Sequence, residues 1–294
     1  MLPTPATEAL ALTFPDRTVG AVSRLQGASG AEVFRVEVDA RPYVLRVDTA
    51  RDGFREPGRQ YACHHIAAEA GVAPTLLYAD PVAGVAIMDF VESAAPQDKL
   101  TPIGAALRAL HDAPAFPPLV DYMAGMDTIV AQFEAHAPLP ASDVAAFVAT
   151  YRAVAAAYPR PTDELVASHN DLNPSNILYS GGRAWFIDFE AAFAADRYVD
   201  LATVTNFFRL DAAAEGVLMA AYGGSIDHAR FGLMKRINRC YYGVMLLLAA
   251  MREEPGLRLD GVDGPQLAEL WAAGITPATQ AGKIGMGLAY IRSI

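Results

Sequence analysis

Two short stretches hold the residues best able to do chemistry: His169-Asn170-Asp171-Leu172-Asn173-Pro174-Ser175-Asn176 and Ile187-Asp188-Phe189-Glu190. Between them Ile177-Leu178-Tyr179-Ser180 and Arg183-Ala184-Trp185-Phe186-Ile187 are joined by Gly181-Gly182. Two β-forming runs around a two-residue glycine turn predict a β-hairpin. Pairing is then symmetric about the glycines, so that Ser180 faces Arg183, Asn176 faces Ile187 and Ser175 faces Asp188. Asn176 and Asp188 therefore meet at the open end of the hairpin, within reach of cross-strand neighbours. Asp171 lies in a loop that contains Pro174 and can fold back over the same end. Two carboxylates and an amide oxygen converge on one spot. Such a donor set suits magnesium, a hard cation that takes a few protein oxygens and completes its shell with water and substrate phosphates. It lacks the nitrogen and sulfur ligands that zinc prefers. Taken singly, Asp171, Asn173 and Asn176 read as turn and capping residues. Their joint spacing with Asp188, after an apolar strand, carries the metal reading.

The elements that must position these groups change in texture near residue 92. Before it, β-forming runs at Thr18 to Leu25, Glu32 to Val38, Tyr43 to Val47 and Gly84 to Phe90 are punctuated by Gly, Pro and Asp. One helix is expected among them, from about Glu56 to Ala70, with Gly71 and Pro74 as its stop signal. After residue 92, Ala- and Leu-rich segments with helical spacing fall at about 101–112, 121–136, 142–158, 197–221, 228–252 and 265–273. The expected architecture is α+β, with a β-rich lobe over residues 1–92 and a mainly helical lobe over 93–294. A cleft between two such lobes is a common place for a ligand.

With 294 residues, 53% of them hydrophobic and 19% charged, the chain can bury a large core and is not a disordered sequence. Tyr241 to Met251, the longest apolar stretch, falls short of the roughly 20 residues of a membrane span and reads as a buried helix. The N-terminal residues show no basic region followed by an apolar core, so no signal peptide is expected. Cys63 and Cys240 cannot build a disulfide framework; they suit a reducing cytoplasm, with a single bridge as the alternative. A net charge of −10 argues against nucleic acid as a partner. No G-x-S-x-G of a serine hydrolase is present. The histidines are scattered apart from His64-His65, whose side chains diverge on a helix.

His169 to Asn176 resembles the catalytic loop of the aminoglycoside phosphotransferase and choline kinase superfamily, relatives of protein kinases. The resemblance covers most of the chain and is concentrated in residues 169–202. It implies a two-lobed, protein-kinase-like fold in which Asp171 orients the acceptor hydroxyl and takes its proton, while Asn176 and Asp188 hold magnesium. Gln26 to Ala31, with Gly27, Ser29 and Gly30, lies where the family's nucleotide-positioning loop would be. Arg46 stands where kinases carry the lysine that grips the α- and β-phosphates, and arginine resembles the choline kinase branch. Ile87-Met88-Asp89-Phe90-Val91 resembles the hinge that pairs with adenine, which makes Met88 and Phe90 nucleotide-side residues. Leu107 to His111 resembles the helix that follows the hinge, and Asp200 the aspartate that braces the catalytic loop.

Two departures from the family pattern stand out. A kinase uses a helix glutamate to hold its phosphate-binding Lys or Arg; Gln60 occupies that place here, with Glu56 one turn earlier, so either Glu56 does the job or the grip is weaker. Choline kinases also carry Tyr, and further on Glu-Trp, where this chain has Ala191, Phe207 and Phe208. Phe207, Phe208, Tyr241, Tyr242 and Trp271 could rebuild a cation–π box, and Glu190 is the substrate-side residue expected to act through magnesium or as a counter-charge.

The resemblance thus implies a cytoplasmic phosphotransferase that uses ATP and Mg2+ and takes a small, cationic acceptor such as choline, ethanolamine or a similar amino alcohol. The alternatives are an aminoglycoside or other hydroxylated metabolite as acceptor and, in another class, a nucleotide-binding pseudokinase that acts as a scaffold or sensor.

Overall fold

The computed structural model describes residues 2–25, 31–48, 55–160, 163–262, 264 and 266–294, apart from the side chain of Trp271. The first elements in chain order are α1 (Thr4–Thr13), β1 (Val19–Leu25), β2 (Ala31–Val38), β3 (Arg41–Asp48), α2 (Pro57–Glu69), β4 (Leu76–Asp80), β5 (Val85–Asp89) and α3 (Leu100–His111). There follow α4 (Tyr122–His136), α5 (Ala141–Ala157), β6 (Leu165–Ser168), β7 (Ile177–Ser180), β8 (Arg183–Phe186) and β9 (Phe193–Asp196). The chain ends in α6 (Tyr198–Phe208), α7 (Ala212–Tyr222), α8 (His228–Glu253), α9 (Leu267–Ala272) and α10 (Gln280–Arg292). These elements belong to two compact units: residues 1–119, 164–200 and 207–225 in the first, and 120–163, 201–206 and 226–294 in the second.

The first unit is built on an antiparallel sheet in the order β1-β2-β3-β5-β4. β2 and β3 form a hairpin closed by Asp39 and Ala40, both at positive φ (51° and 64°), with Val38 opposite Arg41. Alternation along β3 sends Tyr43, Leu45 and Val47 into the core and leaves Val44, Arg46 and Asp48 on the other face. The core face packs on Val36, Val38, Val85 and Ile87 and on Ala6, Ala9 and Leu10 of α1. Sequence reading gave α1 no place, because Pro3 and Pro5 make the segment look like a tail; a proline in the first turn of a helix is in fact tolerated. β4, an edge strand, was also not foreseen.

α2 begins as expected. Glu56 caps it by accepting hydrogen bonds from the N–H groups of Gly58 (2.9 Å) and Arg59 (2.6 Å), and Gly71 at φ 73° ends it. In the same unit α3 packs on α7, and two short ladders, β6–β9 and β7–β8, carry the candidate site. The helix expected over 197–221 is two helices, because Arg209 turns left-handed (φ 56°) and Asp211 caps α7 by accepting from Ala214 N at 2.9 Å.

In the second unit α8, 26 residues long, packs against α4, α5 and α10. A Cβ at Gly287 would lie 2.8 Å from Leu247 Cγ, so glycine lets α10 run close along α8. Leu270, Met286, Ala289 and Tyr290 are buried there, with Tyr242 and Leu246 packed against them. Among the described residues no helix is long and apolar enough to cross a membrane, and both cysteines are free and buried.

Candidate active site

The hairpin follows the register deduced from its turn. Ile177 pairs with Phe186 and Ser180 with Arg183, and Ile187 N donates to Asn176 O at 3.0 Å, which extends the ladder to the Asn. Gly181 and Gly182 both take positive φ (59° and 73°), as a tight turn of this kind requires. At the open end Asn176 Nδ2 donates to Asp171 O (2.8 Å) and Asp171 Oδ2 (3.2 Å), and Asn173 Nδ2 donates to the same Oδ2 at 3.2 Å. Two neutral amides thus orient the Asp171 carboxylate. Asp188 leaves the strand in the left-handed region (φ 66°, ψ 72°), a conformation that costs about 1–2 kcal/mol for a residue with a Cβ. Its neighbours must therefore hold it there.

The loop and the Asp188 segment are laced together from beneath. Asp200, fully buried, accepts from the N–H groups of His169 (2.8 Å) and Asn170 (2.7 Å) and from His111 Nε2 (3.1 Å). Burial works to raise the pKa of Asp200, but the hydrogen bond and charge of His111 and the groups of His169 hold it below the usual carboxylate value. Asn170, itself left-handed (φ 63°), presents Nδ2 to the carbonyls of Ala191 (3.0 Å) and Phe193 (3.3 Å). His169 Nε2 donates to Ile187 O at 2.9 Å, and its ring lies 4.8 Å from that of Phe189. The residues that flank Asp171 and those that flank Asp188 are one hydrogen-bonded assembly.

Arg46 is the cation that meets the carboxylates of the site. Its Nε donates to Asp48 Oδ1 (2.8 Å), its Nη1 to Asp188 Oδ1 (3.2 Å) and its Nη2 to Glu190 Oε1. Burial would lower the pKa of this guanidinium, yet Asp188, Asp48 and Glu190 together raise it. Burial and the nearby Asp188 push the Glu190 carboxyl up, against the pull of Arg46. Neither helix residue holds Arg46 in the expected way. Glu56, one of the two alternatives for holding Arg46, is exposed, and its carboxylate accepts from Gly58 N and Arg59 N in capping α2. Gln60 acts one step removed, donating from Nε2 to Asp48 Oδ2 at 2.7 Å, where Tyr61 OH also donates at 2.5 Å. Sequence reading missed Asp48, although its spacing of two from Arg46 on a strand was the signal. It also missed Arg59, whose Nη2 donates to Glu190 O at 2.7 Å and whose Nη1 donates to Ala192 O, tying α2 to the residues after Asp188.

Met88 is buried in β5 against Tyr61, Ala86 and Val44, and Phe90 lies half-buried under the Arg35 guanidinium, 5.5 Å from its ring centre. Phe207 and Phe208 are half-buried at the end of α6. Tyr241 and Tyr242 meet edge to face on α8, their centres 5.1 Å apart. Gly27, Ser29 and Gly30 lie outside the described residues, as does the side chain of Trp271.

The donor set has the chemistry that the expected magnesium takes. Asn176 turns its Nδ2 to Asp171, which leaves Oδ1 as the atom for another partner, and the carboxylates of Asp188 and Glu190 lie together on Arg46. All the donors are oxygens, which fits a hard cation. Among the described residues no group of three or more His, Cys, Asp or Glu could hold a metal by itself; magnesium needs only one or two carboxylates when phosphates and water complete its shell.

The five-stranded antiparallel sheet and the mainly helical remainder make an α+β fold of the kinase-like kind. A family model described as "Phosphotransferase enzyme family" matches residues 21–233, and the chain belongs to that family. Among solved structures, a choline/ethanolamine kinase family protein from Mesorhizobium loti is 23% identical, with a TM-score of 0.69 over 99% of this chain and 98% of that one. The choline kinase LicA from Streptococcus pneumoniae is 16% identical, with a TM-score of 0.66 over 98% of each chain. A spectinomycin phosphotransferase in complex with ADP and spectinomycin is 10% identical, with a TM-score of 0.64 over 99% of this chain and 98% of that one. A search of curated proteins gives no match.

Proposed function

We propose that this phosphotransferase is a cytoplasmic small-molecule kinase that moves the γ-phosphate of ATP, with Mg2+, to the hydroxyl of choline, ethanolamine or a similar amino alcohol. The observation that carries the reading is the convergence of Asp171 and Asn176 at the open end of the hairpin, joined through Asp200 and Asn170 to the segment that sets Asp188 on Arg46. In this reading Asn176 and Asp188 hold the metal, and Arg46 grips phosphate beside the 26–31 loop and the hinge with Met88 and Phe90. The chemistry magnesium supplies when bound is neutralisation of phosphate charge. Asp171, fixed by the amides of Asn173 and Asn176, orients the acceptor hydroxyl for in-line attack and takes its proton at a carboxylate oxygen. Catalysis is then mostly positioning and charge stabilisation.

Arg46 and the sequence Asp188-Phe189-Glu190 favour an amino alcohol, and choline and ethanolamine kinases are among the similar structures. Ala191, Phe207 and Phe208, at the places of Tyr and Glu-Trp, favour the second reading, an aminoglycoside or other hydroxylated acceptor; phosphotransferases bound to spectinomycin and kanamycin are also among the similar structures. The test is ADP release with Mg-ATP over a panel of choline, ethanolamine, aminoglycosides and simple sugars. Turnover with one acceptor class is expected, with a loss of about a hundredfold or more in Asp171→Asn and in Asp188→Ala. Near-normal activity in either variant refutes the assignment, and binding of Mg-ATP without turnover on any acceptor would favour a pseudokinase.

A further inference from the structure

We infer that Asp48 is a positioning residue for the nucleotide grip: it holds Arg46 where a kinase uses a helix glutamate, and Gln60 and Tyr61 of α2 hold Asp48 in turn. The inference rests on the kinase reading above and goes beyond it in naming what fixes the arginine. Among the described residues three carboxylates touch Arg46, but they are not equivalent. The Asp188 and Glu190 side chains are 26% and 20% exposed, whereas that of Asp48 is 5% exposed. Asp188 and Glu190 meet the terminal Nη1 and Nη2, the donors a phosphate would have to take over; Asp48 meets the inner Nε, beside the strand. Among the described residues only Asp48 has its second oxygen clamped by α2, through Gln60 Nε2 at 2.7 Å and Tyr61 OH at 2.5 Å. Asp48 is thus built to keep one orientation of the guanidinium while the other two contacts exchange for ligand.

This arrangement also accounts for Gln60. A glutamate there would set a second carboxylate within hydrogen-bonding distance of Asp48, and like charges at that range repel. The amide donates instead. The negative charge has moved from the helix to the strand, two residues from Arg46 on the same face, so Gln60 is the complement of Asp48 and no sign of a lost grip.

The test measures ATP affinity by titration calorimetry, with and without magnesium, together with KM values and melting temperature, on the wild type, Asp48→Asn, Gln60→Glu and the double variant. Asp48→Asn is expected to weaken ATP binding and raise KM for ATP about tenfold or more, with KM for the acceptor unchanged. Gln60→Glu alone should also weaken ATP binding. Combining it with Asp48→Asn restores a carboxylate on the helix and should recover most of the lost affinity, a rescue that a merely structural role would not give. Wild-type ATP affinity in Asp48→Asn, or no rescue in the double variant, overturns the inference. Should Asp48→Asn fail to fold, Tyr61→Phe and Gln60→Glu carry the test, and unchanged ATP affinity in both overturns it. A wild type that binds no ATP overturns the kinase reading and the inference with it, whereas a binding wild type matched by Asp48→Asn overturns the inference alone.

Discussion

Replacing Asp200 by alanine should unfasten the catalytic loop. The carboxylate is fully buried and accepts from two backbone N–H groups and from His111 Nε2. Hydrogen bonds to a charged group are worth about 1.5–3 kcal/mol each, and a buried donor left without a partner retains its desolvation penalty. The two backbone bonds alone then put the loss at about 3–6 kcal/mol, comparable with the whole stability of many domains. His111, which also hydrogen-bonds Tyr222 OH at 2.9 Å, would lose its other partner. For a chain of this size that loss corresponds to a fall in melting temperature of roughly 5–10 °C. Asp200→Asn should fall between the two, since one amide oxygen can still accept while the NH2 faces a donor. The assay is thermal melting by circular dichroism, with turnover measured alongside at a temperature where the variant is folded. The folded pKa of Asp200 is depressed, so its contribution is present above the unfolded value near 3.9 and is lost as pH falls through the folded one; Asp200→Asn should remove that part of the acid dependence. A shift of under about 0.5 kcal/mol in Asp200→Ala, the size expected for a surface substitution, would refute the bracing argument.

His64 supplies a second pH effect, of the same sign and in a higher window. Buried with Nε2 donating to Pro74 O at 2.7 Å, it has its pKa pushed down by burial to about 4, so the fold holds it neutral while the unfolded chain protonates it near 6.5. Stability should therefore fall as pH drops from about 6.5 to 4, by up to about 3 kcal/mol, and melting curves of His64→Asn should be flatter over that window; equal slopes would contradict the assignment. In the hairpin, Gly182→Ala meets no atom within 4 Å, so its effect is that of φ alone, a loss of about 1–2 kcal/mol. Gly181→Asn should be nearly neutral, because Asn-Gly suits the same turn; chemical denaturation distinguishes the two.

What the sequence disclosed follows from what local chemistry can encode. The β7–β8 register was legible because a two-glycine turn leaves one symmetric pairing, and α2 was legible from its stop at Gly71 and Pro74. β6 and β9 were not: four residues each, Leu-Val-Ala-Ser and Phe-Ala-Ala-Asp, are too short and too rich in alanine to show a period. α10 was hidden by its glycines, which weaken a helix in isolation and are explained only by its close approach to α8. At the site, Asp171, Asn176 and Asp188 could be grouped from spacing alone. Spacing put Asp48 on one strand face with Arg46, but a charged residue on a strand or in a first helical turn ordinarily faces water, so spacing gave neither it nor Arg59 a role. Gln60 and Tyr61 reach Asp48 only when α2 settles on the sheet, and the carbonyls that Arg59 meets lie far along the chain.

The single hairpin that supplies both Asn176 and Asp188 has a consequence for how this chain can drift. Exposed loop tips usually accept insertions and deletions readily, and Gly181 and Gly182 are exposed. Yet one residue gained or lost there would slip the register, turn the side chains of one strand to the opposite face and take Asn176 out of step with Asp188. The tip can accept other residues that tolerate its positive φ, but not a change of length. Length is usually the least guarded property of a surface turn; in this one it sets the geometry of the site at the far end.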